Sequence, residues 1–319
     1  MNGRYDEMYA AAERHYLRGE TMESIAHTLG FSRSTVSRLL TQAREEGIVQ
    51  ISLAQRGSQS PLARELTETY GPAVHLVQVP DSAAPGARFE QVGRRAAQLM
   101  GTLVTEESRI GVAWGVTVAA VVRYLERRPV PGVKVVQMNG SGNAADSAVP
   151  YVGAILAAVA DAYGGQVIPF PIPAFFDHAE ARAALWRESM IQHVLNEQAH
   201  LDLAIFGVGS LYGSVPSRVY STGYLASDTL AMLERQGVVG DISTVLLRED
   251  GSYADIPLNA HATGMNPEQL RQVPRRLCVV ADPQRAAAVV GALRAGVATD
   301  LVCDEATARA VLRRGKLVG

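Results

Sequence analysis

A run of hydroxyl and arginine side chains near the start of the 319-residue chain is typical of a surface that contacts DNA. Residues 22–40, MESIAHTLGFSRSTVSRLL, place apolar side chains at helical spacing on both sides of Gly30. This pattern predicts two helices that cross at a steep angle, the second of which presents an exposed face to DNA. Hydroxyl groups suit phosphates or base edges, and arginine suits guanine or phosphate. The predicted DNA-contacting residues are Thr21, Ser32, Arg33, Ser34, Thr35, Ser37 and Arg38.

The charge of the whole chain does not predict DNA binding. Lysine and arginine total 30 against 32 acidic residues, so the formal net charge is −2. The segment from Ser32 to Arg44 nevertheless holds three arginines and no acid. The alternative is a plain helical hairpin with surface arginines. The small Ala26 where two helices must approach, Gly30 at the turn, and the hydroxyl–arginine face together favour DNA binding.

Three glycine-containing loops further along the chain could hold a small polar ligand. In GVAWGVTVAAV (111–121), the backbone N–H groups at the start of a helix could hold a phosphate. NGSGN (139–143) could wrap a polyol, and FGVGS (206–210) could approach a ligand closely. Asp241 and Asn259 could bind hydroxyl groups, and Arg285 could meet a phosphate, although exposed turn residues and solvated arginines look the same in a sequence. The predicted effector-binding residues are Gly115, Val116, Thr117, Asn139, Gly140, Ser141, Gly209, Asp241, Asn259 and Arg285.

No residue pattern in the chain predicts a catalytic, metal or cofactor site. The seven histidines have no metal-type spacing, and the two cysteines, Cys278 and Cys303, make neither a disulfide framework nor a zinc cluster. Nucleophile-elbow and Walker motifs are absent. The segment PFPIPAFFDH (169–178) is too rich in proline for a regular helix, and it either covers the core at an edge or forms a wall of the pocket.

The elements that must position these residues fall into three parts. Residues 1–55 predict a helix-turn-helix domain, with helices over 5–18, 21–29 and 32–47 and a strand over 48–53. Residues 56–61 have the composition of a linker. Residues 62–319 alternate apolar strands with helices and predict a Rossmann-like, mainly parallel α/β effector domain. Its predicted strands are VHLVQV, RIGVAWG, KVVQMNG, LAIFGVG, LCVVAD and TDLVCDE, and 241–259 predicts an antiparallel hairpin that turns at Asp250-Gly251.

The sequence indicates a protein of the cytoplasm. Apolar residues make up 47% of the chain, which is enough for a buried core. The chain has no uninterrupted apolar stretch of the roughly 18 residues that a membrane helix needs, and its first residues have no signal-peptide pattern. We therefore expect no membrane partner.

Taken in order, several segments resemble the SorC family of bacterial transcriptional regulators, which are also grouped with DeoR-type sugar-binding regulators. The resemblance covers nearly the whole chain. The segments are TMESIAHTLGFSRSTVSRLLTQAREEGIVQI, GVAWGVTVAAV, VVQMNG, PFPIPAFFD, LAIFGVGS, GVVGDIS, PLNAHATGM and DLVCDEATARAVL. The resemblance implies an effector domain similar to sugar-phosphate isomerases and deaminases, a phosphorylated sugar or related metabolite as effector, and a dimer or tetramer.

The resemblance also implies roles for single residues. Residues 115–117 would hold the phosphate, and residues 139–141 with Gly209, Asp241 and Asn259 would line the sugar. The chain departs from the family at two places. It has Asp282, Pro283 and Arg285 where the family often has two glycines and a lysine, although arginine can still pair with phosphate. It has Asn139 where some members have a lysine, so no covalent imine is expected there.

The function favoured by the sequence is a regulator of a carbohydrate, polyol or nucleoside catabolic operon. It would bind double-stranded operator DNA and a small sugar or polyol phosphate, as a homo-oligomer that we expect to be a tetramer, without a cofactor. The alternative is a sugar-phosphate isomerase or deaminase with a helical appendage, but no general base can be placed for that chemistry. A third hypothesis is a DNA-binding oligomer whose pocket is vestigial and binds no effector.

Overall fold

The computed structural model describes residues 3–46, 48–49, 60–141, 149–221 and 223–318. The chain divides into two compact units, residues 1–58 and residues 59–319. Of the predicted linker, Ser60 and Pro61 are described, and Pro61 is already the first residue of a helix. No helix in the described ranges is both long and apolar enough to cross a membrane.

The regular elements in the described part of the first unit are all helices. Its elements are α1 (Gly3–Ala12), a π-helical segment (Glu13–Leu17), α2 (Met22–Leu29) and α3 (Arg33–Glu45). They close around a small apolar core that includes Met8, Ile25, Val36 and Leu39.

The ends of α2 and α3 follow from local residue chemistry. The Thr21 hydroxyl accepts the backbone N–H of Ser24, and the Ser32 hydroxyl accepts that of Thr35, so both residues are N-caps. Gly30 ends α2 with a φ of 70°, which glycine adopts without a steric penalty. The predicted strand over 48–53 is not seen at its first two residues, which form a bend, and its other residues lie outside the described part of the chain.

The second unit contains a seven-stranded, wholly parallel sheet, which confirms the predicted fold class. Its order is β1-β10-β9-β5-β2-β3-β4. The six predicted strands are all present, whereas the three-residue β4, which directly precedes Pro169, was missed. The bounds are β1 (Ala73–Val77), β2 (Arg109–Val112), β3 (Lys134–Gln137), β4 (Gln166–Ile168), β5 (Leu203–Gly207), β9 (Arg275–Val280) and β10 (Asp300–Asp304).

Helices cover both faces of this sheet and bury one apolar cluster on each side. Helices α4, α9, α13 and α14 contribute to one cluster, and α5, α6 and α7 contribute to the other. The helices of the second unit are α4 (Pro61–Tyr70), α5 (Pro85–Leu103), α6 (Val116–Val122), α7 (Val149–Tyr163), α8 (Ala179–Leu185), α9 (Ser189–Ala199), α10 (Arg218–Ser221), α11 (Ser227–Arg235), α12 (Pro267–Arg271), α13 (Ala286–Arg294) and α14 (Glu305–Val318).

A separate three-stranded antiparallel sheet is formed by β6 (Gly209–Ser210), β7 (Val238–Ile242) and β8 (Val245–Arg248). The predicted antiparallel hairpin is therefore present, but the prediction placed its turn at the wrong residues. The strands turn at Ser243 and Thr244, whose φ angles are 48° and 69°. Asp250-Gly251 forms a tight turn after β8, and residues 252–259, the rest of the predicted hairpin, form no strand.

The order of the parallel strands creates a crevice at one edge of the sheet. From β2 the chain continues to β3 and β4 on one side and then returns to β5 on the other side of β2. The segments that leave β2 and β5 at their carboxyl ends therefore diverge. Ligands of open α/β sheets bind at such a switch point.

Candidate functional site

A cavity lies at this switch point, beyond the carboxyl ends of β2 and β5. The structure brings seven of the ten predicted effector residues to its wall although they come from five different segments of the chain. These seven are Gly115, Val116, Thr117, Asn139, Gly209, Asp241 and Arg285. The loops after neighbouring parallel strands thus converge as expected from the strand order.

Gly140 and Ser141 lie behind the cavity wall rather than in it. The Gly140 carbonyl accepts the Nε1–H of Trp114 at 2.9 Å, and the Ser141 N–H donates to the carbonyl of Ile172 at 3.0 Å. A β-carbon on Gly140 would lie 2.2 Å from the carbonyl oxygen of Pro173. These two residues therefore fix the loop after β3 against the proline-rich segment, which packs behind the loop instead of lining the pocket.

Asn259 also lies outside the cavity wall, because its side chain is held by the backbone of β8. The amide oxygen accepts the N–H of Leu246, and the amide nitrogen donates to the carbonyls of Leu246 and Tyr253, each at 2.8 Å. The residue thereby closes the edge of the three-stranded sheet. Its role in the structure is to hold the hairpin that carries Asp241.

Asp241 is the buried carboxyl group of the cavity wall, with 5% of its surface exposed. One oxygen, Oδ2, accepts the N–H of Thr244 at 3.0 Å, and the other, Oδ1, has no partner in full hydrogen-bond geometry, with the Tyr220 phenol beside the carboxyl. Burial raises the pKa of this carboxyl, while the Tyr220 phenol, the Thr244 N–H and the charge of Arg285 act in the opposite direction. The side chain is thus an acceptor held at the cavity in a poorly solvated setting.

Arg285 lines the cavity, but most of its hydrogen-bond donors bind other groups of the protein. Its Nη1 donates to the carbonyl of Val208 at 2.8 Å and to the Ser217 hydroxyl at 2.9 Å, and its Nη2 donates to the carbonyl of Val215 at 2.6 Å. Its Nε lies 3.4 Å from Asp282 Oδ2, and burial lowers its pKa. The guanidinium therefore ties residues 208–217 to the sheet.

Residues 211–221, here called the cover segment, border the cavity, and none of them was predicted as a site residue. Ser217 and Arg218 from this segment line the cavity. Asp282 accepts both the N–H and the hydroxyl of Ser214, at 2.7 and 2.9 Å. Asp282 and Arg285 thus anchor the cover segment.

Sequence reasoning also missed Trp114, Ser243 and Thr244 in the cavity wall. Trp114 stacks on Tyr224 at 5.4 Å between ring centroids, and the Tyr224 hydroxyl donates to the Ser141 carbonyl. Trp114 was detectable, because it directly follows the strand-end residues and precedes Gly115. The Ser243-Thr244 turn was not, because the turn was assigned to a different dipeptide.

Six of the seven predicted DNA-contacting residues lie at the N-terminal end of α3, whereas Thr21 lies at the start of α2. Ser34, Ser37 and Arg38 are exposed, and so are Thr41 and Arg44, which extend the same face by two turns. Arg33 is exposed and pairs with Glu23 at 2.9 Å. Thr21 and Ser32 cap their helices, and Thr35 is half-buried, so these three residues serve the local fold as well.

Within the described residues no group of three or more histidine, cysteine, aspartate or glutamate side chains could hold a metal ion. Cys278 and Cys303 are free and buried, and burial raises the pKa of the Cys278 thiol to about 12. Both thiols are thus packed in the sheet as apolar groups.

Comparison with known proteins gives three kinds of match. Residues 58–313 match a family model described as "Putative sugar-binding domain". The deoxyribonucleoside regulator of Bacillus subtilis is 28% identical over 304 residues, covering 95% of this chain and 96% of that protein.

Two solved structures are also similar. A domain of a possible sugar-binding transcriptional regulator from Arthrobacter aurescens is 42% identical, covering 82% of this chain and all of that chain, with a TM-score of 0.75. The full-length sorbitol operon regulator SorC from Klebsiella pneumoniae is 22% identical, covering 96% of this chain and 97% of that chain, with a TM-score of 0.76. At this identity the second match bears on the fold alone.

Proposed function

Since the chain belongs to the SorC family of transcriptional regulators with a sugar-binding domain, we propose that it binds operator DNA through α3 and a small phosphorylated sugar or polyol in the cavity beside Asp241. It is a ligand-responsive regulator rather than an isomerase or deaminase, since the Bacillus subtilis relative and the Arthrobacter aurescens protein are both described as regulators. It would control a carbohydrate, polyol or nucleoside catabolic operon, in line with the deoxyribonucleoside regulator that it resembles.

The observation that carries this proposal is the cluster of polar groups without partners around one cavity. Asn139 Oδ1, Asp241 Oδ1 and Ser243 Oγ are all buried, lack a hydrogen-bond partner and belong to the cavity wall. Buried polar atoms in folded proteins are nearly always hydrogen-bonded. A ligand with hydroxyl groups supplies the missing partners.

A phosphate group on the effector would lie against residues 115–117. These residues line the cavity, and so does the half-exposed Arg218. Backbone N–H groups and a guanidinium are suitable partners for a phosphate. Arg285 supports this arrangement through the cover segment, since most of its donors are used by Val208, Val215 and Ser217.

Ligand binding would change DNA affinity through the assembly of subunits. We propose a homo-oligomer, because a helix-turn-helix protein that binds two half-sites needs two copies of α3. The resemblance to the SorC family leads us to expect a tetramer. Such coupling is typically about 1–3 kcal/mol and is reciprocal. A regulator of this kind works where the DNA is, in the bacterial cytoplasm, and needs no cofactor.

The test is a thermal-shift screen of the full-length protein against sugars and polyols with and without a terminal phosphate. A ligand at 100 times its dissociation constant stabilises the protein by about 2.7 kcal/mol. We expect a phosphorylated compound to raise Tm more than its unphosphorylated counterpart. A shift only with unphosphorylated polyols would reject the phosphate part of the proposal, and no shift with any compound would favour a vestigial pocket.

A further inference from the structure

The helix-turn-helix segment contains one acidic residue, and that residue is in contact with an arginine. From Thr21 to Arg44 the sequence has three arginines, Arg33, Arg38 and Arg44, and a single acid, Glu23. Arg33 Nε lies 2.9 Å from Glu23 Oε1. The one carboxylate in a segment that would have to approach DNA phosphates is therefore paired with one of the three arginines.

Folding stability does not account for this pair. The side chains of Arg33 and Glu23 are 68% and 66% exposed, and ion pairs between exposed side chains contribute little to the free energy of unfolding. Arg33 is also the first residue of α3, directly after the N-cap Ser32. The helix dipole opposes a cation at this end of a helix. The position of Arg33 therefore suits an interaction outside the protein better than it suits the helix.

Arg33 and Glu23 lie at the starts of the two helices that meet DNA in different ways. In a helix-turn-helix protein, the N-terminal residues of the second helix contact base edges, whereas the first helix crosses the phosphate backbone. Arg33 begins α3, and Glu23 lies in the first turn of α2. Because their contact is through Nε, the terminal Nη1 and Nη2 groups can still donate to the O6 and N7 atoms of a guanine.

We propose that Glu23 is a positioning residue that sets the sequence specificity of DNA binding through Arg33. The carboxylate holds the guanidinium where it can donate to a guanine, and it competes with phosphates for the same group on all other sequences. Specificity of this kind depends on weakening the wrong complexes as much as on strengthening the right one. This inference rests on the proposed function, since it assumes that α3 contacts DNA.

The test compares Glu23→Ala with the matched control Glu13→Ala in the full-length protein. Glu13 Oε1 lies 2.7 Å from Arg18 Nη2, and Glu13 belongs to the π-helical segment rather than to α2 or α3. Each change thus removes one negative charge from the first unit and releases one exposed arginine. DNA fragments that the wild type selects from a random pool, and the same fragments with shuffled sequences, are titrated over a series of salt concentrations. Arg33→Ala and the double variant Glu23→Ala/Arg33→Ala are titrated in the same way.

We expect Glu23→Ala to bind shuffled DNA more tightly than the wild type, with a salt slope steeper by about 0.9, because the released Arg33 binds a phosphate. Its preference for selected over shuffled DNA should fall at least about fivefold, the lower end of the discrimination that a bidentate guanine contact gives. Glu13→Ala should keep the wild-type preference. Arg33→Ala should lose the same preference, and the double variant should lose no more, because Glu23 acts through Arg33.

A purely structural or purely electrostatic role of Glu23 gives a different result. Either role changes the affinities for selected and shuffled DNA by the same factor, so an unchanged preference in Glu23→Ala would overturn this inference and leave the proposed function standing. An equal loss of preference in Glu13→Ala would overturn it as well. If the wild type selects no fragment from the pool, the proposed binding of operator DNA is itself overturned, and this inference with it.

Discussion

Gly209 faces Asp241 across the antiparallel pair of β6 and β7 so closely that a β-carbon on Gly209 would lie 1.8 Å from Asp241 Oδ1. Such a separation is far inside van der Waals contact, so only glycine leaves the carboxyl group where it is. The unpartnered oxygen of Asp241 is therefore positioned by the absence of a side chain on the neighbouring strand.

Gly209→Ala should displace this carboxyl and disturb the cavity wall. Overpacking of this kind typically costs about 1–3 kcal/mol of unfolding free energy, and effector affinity should fall at least tenfold. The control is Gly101→Ala, since a β-carbon there meets no atom within 4 Å and the residue lies in α5. The Gly101→Ala protein should keep wild-type effector affinity, and its free energy of unfolding should rise by about 0.5–1 kcal/mol. Chemical unfolding and calorimetry measure both quantities, and unchanged effector affinity in Gly209→Ala would contradict the proposed geometry.

Asp241→Asn should change how stability depends on pH. Because burial raises its pKa above 3.8, Asp241 holds its proton more tightly in the folded state. The contribution of the protonated carboxyl to folding stability is therefore present at pH below the unfolded pKa, and it is lost as pH rises through the folded pKa. The neutral asparagine escapes that loss, so the variant should have the higher Tm at pH 7, with the difference shrinking toward pH 4.

Asp250→Asn is the matched control, because the pKa of Asp250 is shifted in the opposite direction. Hydrogen bonds from Ser252 lower the pKa of Asp250, so its contribution to stability is present at neutral pH and is lost as pH falls through the folded pKa. That variant should be the less stable one at pH 7, and its deficit should shrink in acid. Parallel pH profiles for Asp241→Asn and the wild type would rule out the assigned environment of Asp241.

Asn259 should behave as a structural residue in spite of its appearance in the sequence. Asn259→Ala removes three hydrogen bonds and leaves the Leu246 backbone without its partner, which we expect to cost about 1–3 kcal/mol. Asn259→Asp should cost more, because it places an oxygen against two carbonyl oxygens. Urea unfolding measures both losses. A stable Asn259→Ala protein that has lost effector affinity would show that the side chain contacts ligand instead.

Arg38→Ala should weaken DNA binding, whereas Arg18→Ala should not. Both arginines are exposed in the first unit, but Arg38 lies on the exposed face of α3 and Arg18 donates to Glu13 after the π-helical segment. Loss of a base contact costs about 1–3 kcal/mol, and loss of a phosphate contact lowers the salt slope by roughly 0.9. DNA fragments selected from a random pool by the wild type, titrated over a series of salt concentrations, distinguish the two cases. Equal DNA affinities for Arg38→Ala and wild type at every salt concentration would show that this face of α3 does not contact DNA.

The parts of the fold that sequence predicted best are those where local chemistry decides. Thr21 and Ser32 cap helices because their hydroxyls reach the next turn, and the apolar runs of β5 and β9 are buried in the sheet. The convergence of Gly115, Asn139 and Gly209 followed from a general property of parallel sheets.

What the sequence could not predict depends on contacts between distant residues. Asn259 and Asp241 look alike in the sequence, because each is a polar residue at one end of the predicted hairpin. Only the position of the Leu246 backbone shows that Asn259 holds the sheet edge, whereas Asp241 lines the cavity. Arg285 looked free to meet a phosphate because the carbonyls of Val208 and Val215, about 70 residues away, cannot be placed from sequence. The turn at Ser243 was hidden since glycine, not serine, is the usual signal for its backbone conformation.

Reciprocal linkage between effector and DNA tests the central claim most directly. The compound with the largest thermal shift is titrated into the full-length protein with and without saturating selected DNA, and the DNA is titrated with and without saturating compound. The account predicts that each ligand changes the affinity for the other by the same factor, between about fivefold and 150-fold. An effector that binds the cavity while both affinities stay unchanged would contradict it.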